Sequence, residues 1–160
     1  MSSSVWVVNS GASAHFSAVR EDFITLDLED SGTVSGISVR VRGRGICRLI
    51  LIDSTGRKCT VTLDKVLFVP DLALRSNGQY RRLLSVPVAT DRGCRFEITQ
   101  SGDNLWTPEG RQFKMIRSNG LVWLPTLDAT ALPPASAFPN RHTDFDIIHR
   151  RCAHVGEDTI

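Results

Sequence analysis

The stretch VWVVNSGASAHF, residues 5–16, decides the fold of this chain. Its four apolar residues at 5–8 predict a short strand that is buried on both faces. The strand runs into a small polar turn, in which Gly11 allows a tight backbone and Ala12 allows close packing. A strand and turn of this kind is common in globular proteins, so its meaning depends on the rest of the chain.

The composition is that of an ordinary globular protein. The 160 residues are 41% hydrophobic and 22% charged, and they can bury one working core. A net charge of +2 does not require a polyanionic partner, and no apolar run reaches the roughly 18 residues of a membrane span. The cysteines form no Cys-x-x-Cys pair, which favours reduced thiols in an intracellular protein, with disulfides as the alternative; they are Cys47, Cys59, Cys94 and Cys152.

Most of the chain up to residue 125 reads as short strands. In SVRVRGRG, residues 38–45, valine and arginine alternate, and Gly43 and Gly45 indicate a bulge or a close backbone approach. A turn at 53–56 leads into a returning strand that Pro70 ends. The pattern therefore predicts an all-β fold built from hairpins.

One short helix is predicted near residues 86–92. Ser85 can cap its first amides, Pro87 is tolerated in a first turn, and Gly93 can end it. Short strands follow as far as residue 125. The Pro/Ala/Ser-rich stretch at 126–141 is interpreted as a linker, and residues 142–160 as the truncated start of another unit.

Several weak motifs stand in one order along the chain. They are Trp6, SGAS at 10–13, His15, VRGRG at 41–45, VLFVPDL at 66–72, LLSV at 83–86, DRGCRF at 91–96 and NGLVWL at 119–124. In this order the chain resembles the aspartic proteases of copia-type LTR retrotransposons. The resemblance covers about residues 5–125.

The resemblance implies a retropepsin-like single lobe at 4–100, followed by a strand-rich extension at 101–125. It implies a homodimer without a cofactor that cuts polyprotein junctions, in the cytoplasm within a virus-like particle. Catalytic function would fall on position 9, in a loop shaped by Ser10 and Gly11. The implied substrate contacts are Ala12 and Ser13, together with a closing hairpin that carries Gly32, Val34, Gly36 and Ile37.

The catalytic position departs from the family, because Asn9 stands where the family has aspartate. Aspartic proteases need two carboxylates that share one proton, and an amide can neither ionise nor share it. The chain is therefore predicted to be inactive. The intact Ser10 and Gly11 favour a deliberate substitution, an inactive mutant, over decay. The alternative is a natural pseudoprotease that acts as a dimerisation or peptide-binding module.

A second departure lies at residues 73–82. This segment is longer than in the family, and Arg82 stands where asparagine precedes Leu-Leu. It is interpreted as a loop change at the surface.

Two further patterns could indicate a nucleic-acid surface or a metal site. The arginines at 40, 42, 44 and 48 lack interleaved aromatic residues, so they indicate a solvated strand face rather than a nucleic-acid surface. His149 and His154 resemble the opening of an integrase zinc-binding domain. Two histidines do not complete a zinc site, so the chain is predicted to hold no metal, and zinc only if that domain were complete.

Overall fold

The computed structural model describes residues 5–28, 32–33, 40–72 and 81–127. These ranges are strand-rich and contain one short α-helix, α1 (Val86–Asp91), and a 3₁₀ turn over Arg20–Asp22. The strands are β1 (Val5–Asn9), β2 (Phe16–Ser17), β3 (Phe23–Asp27), β4 (Gly32–Thr33), β5 (Arg40–Val41), β6 (Gly43–Ile52), β7 (Lys58–Phe68), β8 (Arg82–Ser85), β9 (Arg95–Thr99), β10 (Gly102–Trp106), β11 (Gln112–Ser118) and β12 (Leu121–Pro125). The all-β prediction with one short helix is confirmed.

Ten strands form one sheet in the order β3-β6-β7-β2-β8-β1-β12-β11-β10-β9, and β4 pairs separately with β5. The first strand, β1, lies in the interior of this order. Val7 pairs in parallel with Leu83 of β8 and antiparallel with Trp123 of β12. The end of β1, where the polar turn begins, is therefore held from both sides.

Two apolar clusters form the core, one on each face of β1. Val5 and Val7 belong to the first cluster, while Trp6 belongs to the second. The prediction of a strand buried on both faces is confirmed. The second cluster joins Leu49 of β6 with Phe113 of β11, although several strands separate β6 from β11 in the sheet. The sheet thus curls over its own core, which is consistent with a barrel-like fold.

The hairpin of β6 and β7 shows why glycine stands in β6. The register shifts between Gly45 and Cys47, as in a β-bulge. A Cβ atom added at Gly45 would lie 2.0 Å from the carbonyl oxygen of Thr25 in β3. The predicted bulge and the predicted close backbone approach are both confirmed.

The predicted helix boundaries are also confirmed. The Ser85 Oγ accepts a hydrogen bond from the Val88 N–H at 3.3 Å, and Pro87 lies in the first turn. Gly93 follows the helix with φ of 90°, a conformation that glycine adopts without strain.

The interpretation of Arg82 as a surface loop residue is wrong. Arg82 begins β8, and its side chain is only 4% exposed. Its Nε and Nη2 donate to the two carboxylate oxygens of Asp22 at 2.7 and 2.9 Å. The Ser17 hydroxyl donates to the same carboxylate at 2.5 Å. The buried guanidinium of Arg82 is paired with the Asp22 carboxylate, and the Ser17 hydroxyl gives that carboxylate a second hydrogen-bond donor. A buried charge is tolerated when it is paired and hydrogen bonded in this way.

The segment at 101–125 is hydrogen bonded into the same sheet as the preceding residues, through β12 and β1. The division at residue 100 stays a prediction, as do the linker and terminal unit, which lie outside the described residues. Cys47, Cys59 and Cys94 are free thiols, and burial raises the pKa of Cys47 and of Cys94. Within residues 5–28, 32–33, 40–72 and 81–127, no helix is long and apolar enough to cross a membrane.

Candidate functional site

The polar turn after β1 contains the candidate site. Asn9 is the last residue of β1, lies opposite Ser85 of β8 and is only 1% exposed. Its Oδ1 accepts the Gly11 N–H at 2.7 Å, which closes a tight local turn. Its Nδ2 is buried and makes no hydrogen bond to any of the described residues.

The Gly11 hydrogen bond and the unpartnered amide nitrogen indicate which side chains would fit at position 9. A carboxylate at residue 9 would accept the same Gly11 N–H with one oxygen. Its other oxygen would replace a donor that now has no partner. A carboxylate at this position would therefore keep the Gly11 contact and remove the buried donor that has no partner among the described residues.

The neighbouring residues divide between solvent and core. Ser10 and Ser13 are exposed, and Gly11 is partly buried. Ala12 is buried in the first core cluster with Val5 and Val7. The structure thus brings the five predicted residues of the turn together at one end of the sheet.

A second contact fixes the turn from the side of β8. The Ser85 Oγ donates to the Ala12 carbonyl at 2.5 Å. The Ser85 N–H donates to Nδ1 of His15 at 2.9 Å. Ser85 therefore joins the turn, His15 and the start of α1. Sequence reasoning identified Ser85 only as a helix cap, because its partners lie 70 residues or more away in the chain.

His15 is held as a neutral ring. Burial is the main cause that lowers the His15 pKa to about 4. The nearby Asp64 charge raises the pKa by a smaller amount, and the Arg92 charge lowers it. An Nδ1 that accepts a hydrogen bond carries no proton, so the remaining proton is on Nε2. This arrangement gives His15 a structural role in the turn.

The predicted closing hairpin is described only at its arms. Gly32 pairs with Val41 and Thr33 pairs with Arg40. Val34, Gly36 and Ile37 lie outside the described residues, so their predicted contacts with substrate stay predictions.

In the part of the chain that the structure describes, no three His, Cys, Asp or Glu side chains come close enough to share a metal ion. His149 and His154 lie outside that part.

Two of the cavities formed by the described residues lie well away from the turn. One, of about 390 Å³, is mostly apolar and lies between the end of β6, the middle of β11 and the end of β12. The other, of about 470 Å³, lies between β7, the end of α1 and the β10–β11 turn. Neither is lined by residues 9–13.

The fold and the turn define an all-β domain with a small polar loop fixed at the end of a central strand. The family described as the Pol polyprotein beta-barrel domain matches residues 6–94, more than half of the 160 residues, and the chain belongs to this family. Its origin is therefore a retroelement Pol polyprotein. No curated protein and no solved structure matches the chain.

Proposed function

We propose that this chain is the protease lobe of a retroelement Pol polyprotein, with the catalytic aspartate replaced by Asn9. In this proposal the lobe forms a homodimer whose active form cuts the polyprotein's own junctions. The observation that carries the proposal is the setting of Asn9. It is buried at the end of β1, one side-chain atom is held by Gly11, and the other has no partner among the described residues.

The proposed chemistry needs two carboxylates at a two-fold axis. One takes a proton from a water molecule as the water attacks the peptide carbonyl, and the other protonates the leaving amine. The asparagine amide can do neither near neutral pH. Because both copies carry Asn9, the dimer lacks both groups, and the chain as printed does not hydrolyse peptides.

The contacts around the turn support this proposal. The Gly11 N–H holds the side chain at position 9, and the Ser85 hydroxyl holds the backbone of the same turn at Ala12, so an aspartate there would keep one geometry. A fixed geometry is what two carboxylates need in order to share a proton.

The alternative is a non-catalytic module that dimerises or binds peptides. Asn9 itself favours it, because the amide oxygen already satisfies the Gly11 N–H and the turn needs no carboxylate.

The test is the variant Asn9→Asp, expressed beside the unaltered chain, with intact mass followed over time. The proposal expects the variant to cut itself near residues 126–141 while the unaltered chain stays whole. Asn119→Asp is the matched control, since it makes the same chemical change at an exposed turn. If Asn9→Asp stays whole as a folded dimer, the protease proposal is wrong and the binding module remains.

A further inference from the structure

An apolar groove lies where the described part of the chain ends. Its cavity of about 390 Å³ is lined by the end of β6, the middle of β11 and the residues from Leu124 to Leu127. Pockets that bind ligands begin at about 300 Å³, so this space is large enough to admit a side chain from outside.

Exposed apolar side chains are concentrated around this cavity. Six large hydrophobic side chains are exposed among the described residues, and three of them line it: Ile52, Ile116 and Leu127, which are 46%, 37% and 36% exposed. Single exposed apolar residues are common on protein surfaces, but a group of them beside a cavity marks a surface that binds another segment.

The backbone of β6 is open along the same groove. Among the described strands, β6 forms ladders with β3 and β7, and the β3 ladder covers only the first half of β6. Further along, the Ile50 carbonyl accepts the Leu127 N–H at 2.8 Å. The Ser54 N–H donates to the Gln112 carbonyl at 2.9 Å. Alternate residues of a strand direct their backbone groups to the same side, so Ile52 directs its N–H and C=O to the side of these two bonds.

The position of Leu127 identifies the occupant of the groove. Leu127 lines the cavity and continues directly into residues 128–134, DATALPP. Leu132 is five residues further, and an extended chain of that length spans up to about 18 Å, which is enough to return a side chain to the cavity. Lys114 also lines the cavity and is exposed, so its ammonium group can attract the carboxylate of Asp128.

The covalent link favours this segment over a separate molecule. A tethered segment binds at an effective concentration set by its short linker, on the order of millimolar. A single apolar side chain and one charge pair can therefore be enough to fill the groove. A free peptide or a second copy of the chain would need a larger contact to bind as tightly.

We propose that residues 128–134 of this chain bind in the groove, with the Leu132 side chain in the cavity and Asp128 beside Lys114. The groove lies near the start of β1, because Val5 pairs with Pro125. The candidate turn follows the other end of β1, about 13 Å away along the strand. This surface is therefore distinct from the Asn9 turn and does not depend on the proposed function.

Methyl NMR of the full chain tests the contact directly. We expect a nuclear Overhauser effect between the methyl groups of Leu132 and those of Ile116, within one chain. A sample that mixes labelled and unlabelled chains separates this contact from one between two chains. No effect between these methyl groups would overturn the proposal, as would an effect seen only between chains, which would assign the groove to a second copy.

Hydrogen exchange of the Leu127 amide measures what the contact contributes. Leu132→Asp in the full chain should speed this exchange about tenfold, because local opening at Ile50 would no longer have to break the apolar contact. Phe138→Asp is the matched control, since it also replaces a large apolar residue with a charge but lies beyond residue 134. It should leave the exchange unchanged.

Two results of the exchange experiment would contradict the proposal. Unchanged exchange in Leu132→Asp would show that Leu132 does not bind in the groove. Equal acceleration in Phe138→Asp would show that the effect does not belong to residues 128–134. A cleavage result for Asn9→Asp bears on the proposed function alone, so the two proposals can fail separately.

Discussion

Arg82 shows how a single buried charge depends on one distant carboxylate. Arg82→Ala would leave Asp22 mostly buried without its guanidinium, and it should lower the free energy of unfolding by about 3–5 kcal/mol. Denaturant unfolding of the full chain measures the loss. Arg92→Ala is the matched control, because the Arg92–Asp64 pair is solvent-exposed and should contribute no more than about 1 kcal/mol. Equal losses for the two variants would contradict the buried-pair interpretation.

His15 predicts a pH dependence at the same scale. Its pKa is about 4 in the folded chain, below the ordinary histidine pKa of 6.5, so the unfolded chain binds more protons between these values. Stability is therefore complete above the unfolded pKa and falls as the pH falls toward 4, by about 2–3 kcal/mol at about pH 4.5.

His15→Asn separates this effect from the other titrating groups. The asparagine oxygen can still accept the Ser85 N–H, but the side chain does not titrate. Unfolding measured between about pH 7 and about pH 4.5 should depend less on pH in the variant than in the unaltered chain. The same slope in both chains would show that His15 is not the group responsible.

At the scale of elements, the approach of β3 to β6 depends on Gly45. Gly45→Ala would place a methyl group 2.0 Å from the Thr25 oxygen, and the strands would have to separate. We expect a loss of about 3 kcal/mol, at the upper end for an overpacked site. Gly110→Ala is the control: its Cβ would meet nothing within 4 Å, and its φ of 86° should cost only about 1 kcal/mol. Thermal unfolding of both variants checks the order, and a smaller loss at Gly45 would contradict it.

The elements themselves could be predicted because their signals are local. Alternation identified the β6–β7 hairpin, and Ser85, Pro87 and Gly93 identified α1 within the chain segment that forms it. Arg82 could not be predicted in the same way. Its place in a buried strand depends on Asp22, which is 60 residues away. The same holds for the contact between His15 and Ser85, so the turn was predictable and the contacts that fix it were not.

At the scale of the whole molecule, the strand order was not predictable from periodicity. Alternation shows that a strand is buried but does not show which strand lies beside it. The burial of β1 on both faces was predicted, yet its position between β8 and β12 is known only from the structure. The family match ends at residue 94, whereas β12 beyond it completes the surroundings of β1.

The position of β1 has a consequence for synthesis. Val5 pairs with Pro125, so β1, the first described strand, cannot pair on both sides until β12, the last described strand, has been made. At the usual 5–20 residues per second, the interval between Asn9 and Pro125 lasts roughly 6 to 23 s. The β6–β7 hairpin can form within that time, because its strands are adjacent in the chain. Asn9 is therefore translated more than a hundred residues before the strands that bury it are complete, and an unfinished chain does not yet have the finished turn.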